Sequence, residues 1–154
     1  MRYKIKQQKQ IKNFLAEEFW EEKGRLLFDK ESTTLSLCND QPVALLSVGD
    51  TVDKDKTGAF ELWRIYILRT YQNRGIGSLL LNFTEKEAIA SGYKEVVIWA
   101  FKKNVHAISF YEKHGYKQDK ECYLGQPYCT YGIRLGKKLH CDVHTCVRPD
   151  KMNE

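Results

Sequence analysis

The sequence predicts an α/β (α+β) chain: one mixed sheet of about seven strands, flanked by helices. Three observations carry that expectation. Short apolar or alternating runs trade places with segments of helical spacing, in the order β-α-β-β-β-α-β-α-β-β. Two of the early runs are joined by the turn pair Asn39-Asp40, so the first half is antiparallel. In the middle, a strand, a glycine-bearing loop, a helix and a second strand form a crossover unit, which joins parallel strands.

Residues 2–6 are a short first strand. Ile11, Phe14, Leu15 and Phe19 fall at helical spacing over 8–22, with Gly24 as a stop signal. Residues 33–38 alternate in polarity and 42–48 are a second apolar run, which together make a hairpin. GDTVDKDKTG is charged, with glycine at both ends, and reads as a loop. Aromatic and β-branched residues make 60–68 a strand. Leu79, Leu80, Phe83 and Ile89 suit a helix over 78–90, ended by Ser91-Gly92. A buried strand over 94–101 follows, then a short helix over 105–113 with Gly115 as its C-terminal cap, and two strands, 116–123 and 128–135, around LGQP.

The 154 residues fit one domain, placed at 1–136, with a polar tail over 137–154. No apolar run approaches the roughly 20 residues of a membrane span. The basic start MRYKIKQQKQIKNFL never reaches an apolar segment of the signal type. The expectation is therefore a soluble, cytoplasmic protein without a membrane partner. Five irregularly spaced cysteines then read as reduced thiols. The net charge of +5 is scattered rather than blocked, which suits a small polyanion and argues against nucleic acid.

The stretch YQNRGIGSLLLNF decides between functions. A helix start carries unpaired N–H groups and partial positive charge, and glycines allow close approach, so Gln72, Asn73, Arg74, Gly75, Ile76 and Gly77 suit a diphosphate. Arg74, and Arg69 with it, would add charge. A Walker loop is excluded by the missing Gly-Lys-Ser/Thr ending. A dinucleotide fingerprint needs a third glycine where Leu80 stands, and its acidic residue would be Glu95 at a strand start. Gln/Arg-x-x-Gly-x-Gly/Ala, the form of an acyl-coenzyme A loop, is satisfied at every position, while a ligand-free turn stays open on this stretch alone.

A second motif, NVHAISFYEKHGY at 104–116, matches Asn-x-x-Ala-x-x-Phe-Tyr-Glu-Lys-x-Gly-Phe/Tyr. With both motifs in order, about thirty residues apart, residues 33–135 resemble the GNAT N-acetyltransferase superfamily. The stretch ELWRIYILRTYQNRGIGSLLL is most similar to small bacterial amine acetyltransferases, polyamine-modifying ones included. The resemblance implies a sheet splayed at its middle, acetyl-coenzyme A as cosubstrate and no metal. Its pantetheine arm would lie between strands four and five, paired with the backbone of Ile65 and Ile67. Amides of residues 72–77 would hold the diphosphate, and Asn104 would reach the cosubstrate. Many members form homodimers through their last strands; the residues here leave that open.

Acetyl transfer to an amine needs a base, because an alkyl ammonium with a pKa of about 10.4 is not nucleophilic. Glu61 is the candidate, eleven residues before Gln72, a spacing that resembles members with a glutamate base. Strand alternation puts Glu61, Trp63, Ile65 and Ile67 on one face, and the aromatic neighbours would raise its pKa. Tyr111 is the candidate acid for the departing thiolate, since the matching tyrosine of the family lies near the thioester sulfur. The amide of Ile67 would donate to the carbonyl oxygen. No covalent acyl-enzyme is expected, because the nearest thiols, Cys122 and Cys129, fall in the last hairpin.

His106 and His114 occupy variable motif positions and read as surface residues. Glu17, Glu18, Glu21 and Glu22 would line a pocket for a cationic acceptor or form a solvated face. Tyr123, Tyr128 and Tyr131 would shape the acceptor pocket or simply alternate in a sheet. HCDVHTC at 140–146 crowds its ligand-type residues too closely for a zinc tetrahedron. Two rivals to the enzyme remain: a non-catalytic acyl-coenzyme A sensor, and a basic nucleic-acid binder. The amine acceptor itself, small molecule or peptide, is not written in the residues.

Overall fold

The computed structural model describes residues 3–7, 33–38 and 41–140. The expected helix over 8–22, with its four glutamates, lies outside the described residues, as does the tail beyond His140. Seven strands form one sheet: β1 (Tyr3–Gln7), β2 (Thr33–Cys38), β3 (Gln41–Asp50), β4 (Phe60–Ile67), β5 (Glu95–Phe101), β6 (Lys117–Tyr123) and β7 (Tyr131–Lys138). Their spatial order is β1-β2-β3-β4-β5-β7-β6. All neighbours are antiparallel except β4 and β5. A parallel pair needs a crossover, and α1 (Ile76–Ala90) supplies it. α2 (Val105–Lys113) leads from β5 to β6.

The mixed sheet and the strand order along the chain are as expected, with shifted ends. β3 extends on both sides, α1 starts two residues earlier at Ile76, and β7 runs to Lys138, past the expected domain boundary. Among the described residues no helix is long and apolar enough to cross a membrane.

Ile76, Leu80, Leu81, Thr84 and Ala88 are the buried stripe of α1. Thr84 belongs there because its hydroxyl donates to the Leu80 carbonyl at 2.9 Å, leaving no orphaned polar atom. The helix ends at Gly92, whose φ of +87° only glycine adopts cheaply. Gly92 N–H donates to Ile89 and Tyr93 N–H to Ala88, the paired bonds that close a helix C-terminus. Gly115 ends α2 in the same manner, as expected from its position in the motif. The stripe packs against Val43, Ala44, Leu46, Phe60, Leu62, Val96, Ile98 and Leu135 from the central strands.

Two irregularities govern the centre of the sheet. The β4–β5 ladder contains only Phe60↔Val96, Glu61↔Val97 and Leu62↔Ile98, after which the two strands part. In the β3–β4 ladder, Val48 faces Leu62 and Ser47 faces Arg64, so Trp63 is an extra residue, a β-bulge.

Candidate active site

The bulge corrects the expected face of Glu61. One inserted residue reverses the side-chain alternation, so Phe60, Leu62, Ile65 and Ile67 all pack against the same core. Glu61 therefore does not share its face with Ile65 and Ile67. It sits beside the last pairs of the β4–β5 ladder, at the apex of the opening, only 7% exposed.

Thr51 Oγ1 donates to Glu61 Oε2 at 2.8 Å. The Trp63 indole and the Val52 amide also favour the charged carboxylate. Burial nevertheless dominates and, helped by the charge of Asp53, raises the Glu61 pKa above the ordinary carboxylate value. Trp63 lies over Gly49, the cross-strand partner of Glu61, where a Cβ would come within 3.1 Å of the indole ring.

Past Leu62, among the described residues, the β4–β5 ladder ends and β5 no longer pairs with Ile65 and Ile67. Leu68 N–H donates to Val43 on the β3 side, so by alternation the polar groups of Ile67 and Ile65 point into the opening. The Ile67 carbonyl is not wholly free, because Gln72 Nε2 donates to it at 3.2 Å. Gln72 thus spends its side chain on β4, a role its place in the loop motif did not announce.

The glycine loop and the start of α1 form a concentration of donors. Gly75 is the N-cap, in the left-handed region at φ +83°, and no side chain caps the helix. Its first turn carries no acidic residue, and its first internal bond is made by Leu79 N–H. The amides of Ile76, Gly77 and Ser78 precede that bond and have no intrahelical partner. Gly77 serves packing: a Cβ there would meet Phe110 Cζ at 3.1 Å and Ile67 Cδ1 at 3.5 Å. Arg74 lies over the Tyr71 ring at 5.2 Å, which holds the guanidinium beside the loop.

Tyr111 is 5% exposed, in one cluster with Ile65, Ile67 and Ile76. Burial pushes its phenol up to about 12, so it stays protonated. Among the described residues no group is hydrogen-bonded to that hydroxyl, and a buried donor without a partner is costly unless a ligand satisfies it. Asn104 stands at the start of α2, where it was expected. It is the N-cap of α2, its Oδ1 accepting from Ala107 N–H at 3.2 Å, and it is exposed.

His106 is exposed as expected, but His114 is half-buried between helices. The Phe110 carbonyl, 2.8 Å from Nδ1, can only accept, which makes Nδ1 the donor. In the neutral ring Nε2 then accepts from the Ser78 hydroxyl, 2.9 Å away. Tyr123, Tyr128 and Tyr131 are exposed at the far end of β5–β7, with Phe101 5.5 Å from Tyr128 and Tyr123 5.3 Å from Tyr131 between ring centroids.

One cluster was not foreseen. Arg134 on β7 is 3% exposed and binds Asp53 and Asp55 from the β3–β4 loop and Asp119 from β6, at 3.0, 2.8 and 2.8 Å. The sequence signal was available: a lone cation inside the run YGIRLG, opposite a loop with several aspartates.

The fold is shared with solved proteins. An Ard1 protein from Thermoplasma volcanium superposes with a TM-score of 0.74 at 12% identity, over 92% of this chain and all of that one. A GNAT family acetyltransferase from Elizabethkingia anophelis, with acetyl-CoA bound, gives 0.62 at 22% identity, covering 70% and 75% of the two chains. In sequence, the uncharacterized protein YxbD of Bacillus subtilis (strain 168) is 35% identical over 49 residues, 32% of this chain and 31% of that protein. The sequence pattern of the acetyltransferase (GNAT) family matches residues 2–116, which include the glycine loop, the parting strands and the helix of Tyr111. That match spans most of the chain and agrees with the sheet's geometry: the chain belongs to the GNAT family of acetyltransferases.

Proposed function

We propose that the protein moves an acetyl group from acetyl-coenzyme A to a primary amine by direct attack, with Glu61 as base and Tyr111 as acid. The observation that carries this reading is the buried, desolvated Glu61 at the point where β4 and β5 part. Uncapped amides at the start of α1 fit a diphosphate, and the open β4 edge at Ile65 and Ile67 fits an amide-bearing arm such as pantetheine.

When bound, acetyl-coenzyme A supplies the acetyl group as a thioester. Glu61 takes a proton from the acceptor ammonium, for which a raised carboxylate pKa is the better match. The Ile67 amide donates to the carbonyl oxygen as negative charge gathers there. The Tyr111 hydroxyl gives its proton to the leaving sulfur, a partner that none of the described residues provides. The acceptor is a small amine or a peptide amine. Asn104 keeps its side-chain N–H₂ to donate to the cosubstrate while its oxygen caps α2.

The test follows free thiol release from acetyl-coenzyme A with a panel of primary amines. Release that depends on the acceptor and is lost in Glu61→Gln supports the reading. Saturable coenzyme binding without acceptor-dependent release would instead favour the sensing module.

A further inference from the structure

We infer that Arg134, through Asp53 and Thr51, is a positioning residue for Glu61: a buried cation that fixes the loop holding the base's hydrogen-bond donor. The inference rests on the reading of Glu61 as the base.

The chain of contacts is continuous. Arg134 Nη1 donates to Asp53 Oδ2 at 3.0 Å, and the Trp99 indole N–H donates to the same oxygen at 2.8 Å. Asp53 N–H donates to Thr51 Oγ1 at 3.1 Å, which commits one lone pair of that hydroxyl and turns its proton toward Glu61 Oε2. The guanidinium is used on every side. Nη1 and Nη2 fork onto Asp55, and Nε donates to Asp119 Oδ1 at 2.8 Å. The plane also lies 5.8 Å from the Trp99 ring centre. Lys56 tightens the loop further, bonding Glu95 on β5 at 2.7 Å and Asp119 at 3.1 Å. Three carboxylates on a nearly inaccessible arginine is far more than a surface pair offers, and the fork geometry is one that lysine does not reproduce.

The placement matters because, beside burial, the loop supplies polar and charged groups that act on Glu61. Across the sheet Glu61 faces Gly49 on β3 and Val97 on β5, neither of which titrates. The loop supplies the Thr51 hydroxyl and Val52 amide that favour the carboxylate, and the Asp53 charge that opposes it. Arg134 both orients Asp53 and offsets its charge.

The experiment titrates the Glu61 side-chain carboxyl by carbon NMR, assigned by its loss in Glu61→Gln, alongside pH profiles of kcat/KM. Asp53→Asn keeps the shape and removes the opposing charge, so the Glu61 midpoint and the acid limb move to lower pH. Thr51→Val removes the donor, and both move up. Arg134→Met frees Asp53 and moves both up, with kcat/KM falling about tenfold for a misplaced base while KM for acetyl-coenzyme A holds. Arg134→Lys restores only part. If Arg134→Met does not fold, the two loop variants decide, since both lie at partly exposed positions. A Glu61 midpoint that stays put in Asp53→Asn and Thr51→Val overturns the inference, even where Glu61→Gln is inactive. A midpoint that moves while Glu61→Gln keeps full activity leaves the loop's control intact and sinks the base reading instead.

Discussion

Thr51 and Glu61 are joined by a 2.8 Å hydrogen bond between a loop hydroxyl and a carboxylate withdrawn from water. The bond favours the charged form and burial opposes it, with burial the larger effect. Glu61 is thus held in an environment that resists its ionisation, which costs stability and suits a base.

That cost has a sign. The unfolded chain ionises Glu61 near its ordinary value of 4.5, whereas the folded chain keeps its proton to higher pH. Between those two pH values the native state binds more protons, so this residue's contribution falls as pH rises. Glu61→Gln is therefore expected to be more stable than wild type at neutral pH, with the gap narrowing below the unfolded value. Thermal melts at both pH values check it; a destabilised variant at neutral pH contradicts it.

The same substitution removes the proposed base. Turnover is expected to fall by about 10²- to 10⁴-fold, the range for lost acid–base catalysis. In the wild type, the pH profile of kcat/KM should show an acid limb above the ordinary carboxylate range, rising as Glu61 ionises. Steady-state rates across pH, with Glu61→Gln as reference, measure both.

Tyr111→Phe is expected to reduce turnover by about 10²-fold, the lower end of that range. No described group bonds its hydroxyl, so the variant should keep or slightly raise the melting temperature. A loss of stability equal to that of a buried hydrogen bond would reveal a structural role instead.

Gly77→Ala places a methyl group against Phe110 and Ile67, where the start of α1 meets α2 and the open edge of β4. It should raise KM for acetyl-coenzyme A more than it lowers kcat. Gly75→Ala acts through the backbone: a φ of +83° costs an L-residue about 1–2 kcal/mol. Steady-state kinetics with acetyl-coenzyme A varied measure the first effect and melting curves the second.

The periodicity of the chain was enough to place the strands and the two described helices, since β3, β4, β5, β7 and both helices contribute residues to a common core. Gly75, Gly92 and Gly115 were legible too, since each lies where a helix begins or ends and takes a positive φ. What escaped is non-local or irregular. The bulge at Trp63 reversed the face expected for Glu61, and one inserted residue leaves no mark on a run of apolar residues. The side-chain bonds of Gln72 to the Ile67 carbonyl and of Asn104 to Ala107 N–H were not foreseen either, because such local amide–backbone bonds leave no periodic signal. Arg134 depends on residues 79 and 81 positions away, a relation only the fold creates.

The central claim is that acetyl-coenzyme A lies along the open edge of β4 with its diphosphate on the first turn of α1. Amide NMR of the labelled protein during a coenzyme titration tests it most directly. Saturable shifts concentrated at Ile65, Ile67 and residues 73–77 are the expected result. Saturable binding that leaves those amides unmoved would contradict it.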